Sequence, residues 1–289
     1  MWHLAQAELF SSLSQIMNCS FEFFPPKTAE GLDHLLIAAD VLSQFAPEYF
    51  SVTYGAGGST QEASLGTVFA LQQKAYTVTP HLSCIGAKRE AIYELLHQYQ
   101  RRGIKRVIAL RGDLPSGSGS ASPEFHYARD LICFIRESFG DAFHITVAAY
   151  PECHPQASNI CKDLQHFKEK VSAGADSAIT QYFYHPEAYH QFLSDCERLH
   201  IDIPIIPGVM PIYHFSQLCR FSEMCGAEIP RYIRKKMEAY GDDVESIQAF
   251  GVEVVTRLCQ DLLQAGAPAL HFYTLNKSKL VAQILQNLK

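Results

Sequence analysis

The stretch Cys19-Ser20-Phe21-Glu22-Phe23-Phe24-Pro25-Pro26-Lys27 separates the two candidate folds. Cys19 to Phe24 reads as a short strand rich in aromatic residues. It runs into a Pro-Pro pair and a lysine. A doubly wound open sheet that binds a nucleotide needs a glycine-rich turn after its first strand. That turn is missing, and neither G-x-G-x-x-G nor a Walker A loop occurs elsewhere in the chain. Side-chain alternation sends Phe21 and Phe23 to one face and Glu22 and Phe24 to the other. In a closed barrel Glu22 then points inward, where the low dielectric should raise its pKa. A carboxylic acid of that kind suits general acid chemistry at neutral pH. The competing reading is a structural ion pair, for instance with Arg111.

Outward from this stretch, short apolar runs recur, each followed by turn chemistry and a helical pattern. They are Cys19–Phe24, Tyr49–Tyr54, Thr77–Cys84, Arg106–Leu110, His144–Tyr150, Ser177–Phe183, Pro204–Met210 and Ala269–Leu275. Most read as apolar on both faces, as buried parallel strands do. Between the first two, Leu32, Leu35, Leu36, Ala39 and Leu42 keep helical spacing, as do Ile247, Phe250, Val254, Leu258 and Leu262 before the last. Gly103, Gly140, Gly174 and Gly266 stand where helix C-cap glycines belong. Eight strand–helix units predict an α/β fold, a (β/α)8 TIM barrel, filling residues 1–289 as one domain. The longest connection, before the last strand, holds extra helix-forming sequence around Pro230–Tyr240.

The chain has 289 residues, 47% hydrophobic and 19% charged, which excludes disorder. Its net charge is −6, without runs of like charge, so nucleic acid and acidic membrane surfaces are poor partners. No apolar run is long enough to span a bilayer. The first residues lack the basic head and apolar middle of a signal peptide. The nine cysteines form no C-x-x-C pair, which predicts reduced thiols in a cytoplasmic protein and no metal site. Two N-x-S sequons, at Asn18 and Asn276, therefore carry no weight.

In such a barrel the chemistry sits at the carboxyl ends of the strands. Those ends supply Glu22, then Thr53 and Tyr54, then His81, then Arg111-Gly112-Asp113. Later strands supply Tyr150, Glu152 and His154, then Gln181, then His271, Tyr273 and Asn276. Any one of these polar residues could simply face water; together they fit a polar ligand. Gly112, Gly117 and Gly119 permit close backbone approach to it. Asp163, His166 and Lys170 share one helix face, which on spacing alone reads as a solvated surface.

Several strings resemble methylenetetrahydrofolate reductases. They are Ser20–Lys27 (SFEFFPPK), Ser51–Gly58 (SVTYGAGG), Pro80–Cys84 (PHLSC) and Ala109–Pro115 (ALRGDLP). Ala148–Glu152 (AAYPE), Ala178–Gln181 (AITQ), Ile206–Gly208 (IPG) and His271–Asn276 (HFYTLN) follow in family order. The resemblance covers nearly the whole chain and is to the bacterial form, without a C-terminal regulatory domain. It implies a cytoplasmic flavoprotein that works by ping-pong hydride transfer through FAD, from NADH or NADPH to 5,10-methylenetetrahydrofolate, giving 5-methyltetrahydrofolate for methionine biosynthesis. It also implies a homo-oligomer with a small-molecule folate substrate.

By matching position, the resemblance makes Glu22 the catalytic acid and Asp113 the carboxylate beside flavin and pterin. For FAD it implies Thr53, Tyr54, Ala56, His81, Arg111, Gly112 and Asp113. It adds Tyr127, Ala128, Tyr150, His154, Asp163, His166 and Lys170, with Lys170 turned to the phosphates. For the folate it implies Asp113, Gln181, Gln217, Phe221, Leu275 and Lys277. Two positions depart from the bacterial pattern: Lys277 replaces an arginine and His166 an asparagine. An open alternative is another flavin barrel, such as a proline dehydrogenase; a cofactor-free barrel is a third.

Overall fold

The computed structural model describes residues 18–54, 58–112 and 124–289. Asp113 and Ala56 lie outside the described residues. The elements alternate: β1 Cys19–Phe23, α1 Ala29–Ser43, β2 Tyr49–Val52, α2 Gly58–Gln73, β3 Val78–Ser83, α3 Arg89–Arg101, β4 Arg106–Leu110 and α4 Ala128–Phe139. They continue with β5 His144–Ala149, α5 Ile160–Ser172, β6 Ser177–Thr180, α6 Pro186–Arg198, β7 Ile205–Ile206 and β8 Gly208–Val209. The chain ends with α7 Phe215–Cys225, α8 Arg231–Tyr240, α9 Val244–Gln264, β9 Leu270–Tyr273 and α10 Lys279–Asn287.

All strand pairs are parallel, in the order β7-β6-β5-β4-β3-β2-β1-β9-β8. β7 and β8 are two halves of one predicted strand, parted at Pro207. Proline has no amide to donate, so the ladder breaks there. Ile205 and Ile206 pair with β6, while Gly208 and Val209 pair with β9. The two ends of the sheet thus meet in one strand, and the predicted (β/α)8 barrel closes.

Local chemistry fixes the helix starts. Thr28 caps α1 by accepting from the Gly31 amide, and Asn159 caps α5 by accepting from the Lys162 amide. Gly103, Gly140, Gly174 and Gly266 all adopt positive φ after helices, as predicted. The α1 face carrying Leu35, Ala39 and Leu42 is buried, and so are Ile247, Val254, Leu258 and Leu262 of α9.

Phe21 and Phe23 are buried in the layer between barrel and helices, Phe23 stacked on Phe50 and Phe21 tilted against it. The inner face departs from the expectation of uniformly apolar strands. Ser20, Ser51, Thr79, Thr146, Ser177 and His271 are all buried. A small apolar cluster of Ile108, Ile179, Ile206 and Ala269 is separate from the main core. The polar residues hide in strands whose outer face is apolar, because alternation by two lets one strand serve both environments.

Candidate active site

β1 brings Glu22 to the inner wall, with 18% of its side chain exposed. Its strand neighbours in register are Ser51 on β2 and Tyr273 on β9. Two imidazoles converge on the carboxyl. His81 Nε2 lies 3.3 Å from Oε2 and His271 Nε2 lies 3.6 Å from it. Arg111 is not a partner; its guanidinium donates to Gln156 and to the Gly112 carbonyl. The raised pKa expected of Glu22 is therefore corrected. Burial pushes it up, but the charge of His81 and the hydrogen bonding of both imidazoles outweigh that, and it falls to about 2. The sequence showed the burial but not which side chains share the barrel wall.

A second group lies at the ends of β4 and β5. A cavity of about 590 Å³ is lined by Arg111, Gly112, Tyr127, Ala128, Tyr150, His154, Asp163, His166 and Lys170. These are nine of the fourteen positions expected to hold the cofactor. The α5 face that spacing alone reads as solvated thus faces this cavity. Asp163 accepts from the His154 amide at 2.8 Å and so fixes the loop after β5. The Lys170 amine donates to the Ala148 carbonyl. Burial pulls the Lys170 pKa down to about 8, against a raising effect of Asp163. Tyr127 and His166 stack with planes 15° apart and ring centres 6.1 Å apart. Gly112 sits at φ +86, and a Cβ there would meet Ser83 Oγ at 2.0 Å, so only glycine fits this rim.

The remaining positions sit elsewhere. Thr53 is half-buried, its amide bonded to the Phe23 carbonyl. Tyr54 lines a separate concavity with Gln61, Leu65 and Lys88. His81 is on Glu22. Gln181 is half-buried and folds back, its Oε1 accepting from the Tyr182 amide at 2.9 Å. Gln217 and Phe221 are one turn apart on α7, both half-buried. Leu275 has φ +53, and Lys277 is exposed with its amine 4.7 Å above the Tyr213 ring. Glu152, noted at a strand end, instead accepts from the Glu228 amide.

Sequence reasoning counted His271 among the polar strand ends but gave no role to Ser20, whose Oγ lies 2.7 Å from the His271 Nδ1. Their inward parity with Glu22 was the available signal. Gln156, Lys162 and Glu169 of the cavity wall carried none. Among the described residues, no cluster of three or more His, Cys, Asp or Glu side chains is arranged to hold a metal. Nor is any described helix long and apolar enough to cross a membrane.

Comparison with known proteins settles the family. The sequence model of the methylenetetrahydrofolate reductase family matches residues 9–289. The chain belongs to that family. It is 37% identical to the 5,10-methylenetetrahydrofolate reductases of Salmonella typhimurium and Escherichia coli, covering 99% of this chain and 97% of each relative. It is 39% identical to a probable methylenetetrahydrofolate reductase (NADH) of Oryza sativa, over 93% of this chain. The chain spans about half the length of that plant relative, 48%. An uncharacterized Clostridium thermocellum protein that binds two copies of 5-methyl-5,6,7,8-tetrahydrofolic acid shares the fold, with a TM-score of 0.65 and 16% identity. That match covers 97% of this chain and 98% of the other.

Proposed function

We propose that this family member reduces 5,10-methylenetetrahydrofolate to 5-methyltetrahydrofolate, with FAD in the cavity beside β4 and β5 and NADH or NADPH as donor. The observation that carries the reading is the convergence of Arg111, Tyr127, His154, His166 and Lys170 on one cavity, in the same barrel mouth as Glu22. The cavity volume is in the range of small-molecule and cofactor sites. The donor set fits an anionic cofactor. Lys170 is a half-buried ammonium whose direct hydrogen-bond partner is a neutral carbonyl, and a diphosphate would supply a direct counter-charge. Gly112 lets the backbone come close at the rim.

Bound FAD would supply the hydride chemistry, linking oxidation of the nicotinamide to reduction of the folate, with the two substrates binding in turn. The chain's residues position and protonate. Glu22 gives a proton to N10 of the folate, opening its five-membered ring so that the methylene carbon can take hydride. Asp113, the residue after Gly112 in the sequence, is the carboxylate proposed to lie beside flavin and pterin. Gln181, Gln217, Phe221, Leu275 and Lys277 hold the folate. For Gln181 this requires release of the Tyr182 amide.

The test is a visible absorption spectrum of the purified protein, then anaerobic bleaching with NADH and recolouring with methylenetetrahydrofolate. A yellow protein that completes both steps is expected. A colourless protein that gains no thermal stability from added FAD would overturn the reading in favour of a cofactor-free barrel.

A further inference from the structure

Glu22 carries a difficulty for any acid role. Its surroundings favour the carboxylate, which has no proton to give. The inner wall behind it offers a solution. His271 is fully buried, and its Nε2 has no hydrogen-bond partner other than the carboxyl oxygen 3.6 Å away. Its Nδ1 is held by the Ser20 hydroxyl at 2.7 Å. Ser20 and His271 are paired in register across β1 and β9, so the contact is built into the sheet. A hydroxyl both donates and accepts. It can accept from an imidazolium Nδ1–H or donate to a neutral Nδ1, so the ring keeps this bond in either protonation state.

We propose that His271, oriented by Ser20, is a positioning residue that stores the proton Glu22 delivers. The inference rests on the folate-reducing function proposed above. The imidazolium and carboxylate are the resting pair. When substrate covers the mouth, the Nε2–H bond breaks and an O–H bond forms on Glu22. That O–H then breaks as the proton passes to the folate nitrogen. The carboxylate is restored, and His271 is left neutral with its remaining proton on Nδ1, donating to the Ser20 hydroxyl. One proton has moved from imidazole to substrate, and the ring regains one from water between turnovers. The other groups facing this pair are His81 from β3, Tyr49 from β2 and Tyr273 from β9, with Ser51 and Thr79 hydroxyls that also have no partner. His81 stands with the residues expected around the cofactor. His271 is the imidazole with a second contact built behind it.

Two measurements test this. The first is nitrogen-15 NMR of histidine-labelled protein without folate, with the His271 ring assigned by its loss in His271→Gln. Glu22→Gln should convert the His271 ring from the charged to the neutral pattern at pH 7. An unchanged ring pattern in Glu22→Gln would overturn the proposal, whatever the enzyme does. The second compares half-reactions by stopped flow. Ser20→Ala should slow the folate step relative to the NADH step by about tenfold and shift the folate step's pH profile, a smaller loss than the roughly hundredfold or more that a general acid itself contributes. Ser20→Thr should restore both. A folate-step profile in Ser20→Ala that superimposes on the parent would also overturn the proposal. Failure of the parent to react with folate at all would sink the functional reading instead, leaving the NMR result to decide the pair.

Discussion

The Asn276 side chain and the Phe24 backbone bond each other twice: Oδ1 accepts from the Phe24 amide at 2.9 Å, and Nδ2 donates to the Phe24 carbonyl at 2.8 Å. This clasp joins the ends of the first and last strands at the mouth, two residues beyond Glu22. Thr274 adds to it, its hydroxyl donating to the Glu22 carbonyl at 2.6 Å. Asn276 itself has φ +57, a conformation asparagine tolerates better than most residues. Asn276→Ala loses both bonds and keeps an unfavourable φ. It should cost about 1–2 kcal/mol, since Phe24 is partly exposed and water replaces some of the loss. Urea denaturation checks this, with Thr274→Val as a companion weakening the same seam.

Closure at the other seam depends on Gly208. An added Cβ would meet the Thr180 carbonyl oxygen at 2.1 Å and the Tyr273 ring at 2.7 Å. The first is backbone of β6 and cannot turn aside. The Gly208 amide also donates to Thr180 Oγ1 at 2.9 Å, and Tyr273 Oη donates to the same Thr180 carbonyl at 2.7 Å. Gly208→Ala should therefore cost on the order of 3 kcal/mol or more, through overpacking where relaxation is blocked. A melting temperature within 2 °C of the parent would show that β7 and β8 can part without harm.

These seams mark where sequence reading stops. The eight units were legible because periodicity changes from two to 3.6 at each junction, and Glu22 stood out as a charge among phenylalanines. The α5 face was legible as a face, but not as one turned to a cavity, because spacing does not say what lies opposite. The direction of the Glu22 pKa shift was misread for a related reason. Desolvation follows from a residue's own strand, while His81 and His271 come from strands about 60 and 250 residues away. Pro207 was visible in the sequence, yet its effect, dividing one strand between two partners, depends on the register of β6 and β9.

Lys170 provides a prediction about the cofactor. Its pKa in the folded protein, about 8, lies below the ordinary 10.5. The folded state without cofactor thus resists the charge, and its stability should rise as pH climbs from 8 to 10.5. Below 8 the cost of the charge is constant, at most about 3 kcal/mol. Lys170→Met should raise the melting temperature of the cofactor-free protein and weaken FAD binding by about a hundredfold, the value of a charge-assisted contact. In the parent, FAD affinity should fall as pH rises above 8, because the binding form is the ammonium. Fluorescence titration of FAD between pH 6 and 10 measures both effects, and a flat profile would remove Lys170 from the phosphate site.

Glu22 gives the opposite pH dependence. Its folded pKa, about 2, lies below the ordinary 4.5 because attraction to His81 and His271 overcomes desolvation. A group with a depressed acid pKa stabilises the fold above its unfolded value and loses that contribution as pH falls through its folded value. The contribution of Glu22 should therefore be complete above about pH 4.5 and gone near pH 2. The difference corresponds to about 1–3 kcal/mol, the upper end being the full shift and the lower allowing for the cost of burying a charge pair. Glu22→Gln should be less stable than the parent at pH 6, and the gap should close as both approach pH 2. Tyr273 serves as an internal contrast: it is half-buried in the same wall, and its phenol is held neutral first by desolvation and then by the charge of Glu22. Tyr273→Phe should therefore leave the acid limb in place while losing the bond to the Thr180 carbonyl. Urea titrations at half-unit pH steps on the three proteins separate these cases. A Glu22→Gln curve parallel to the parent's across the whole range would mean that the carboxyl titrates alike in the folded and unfolded chains.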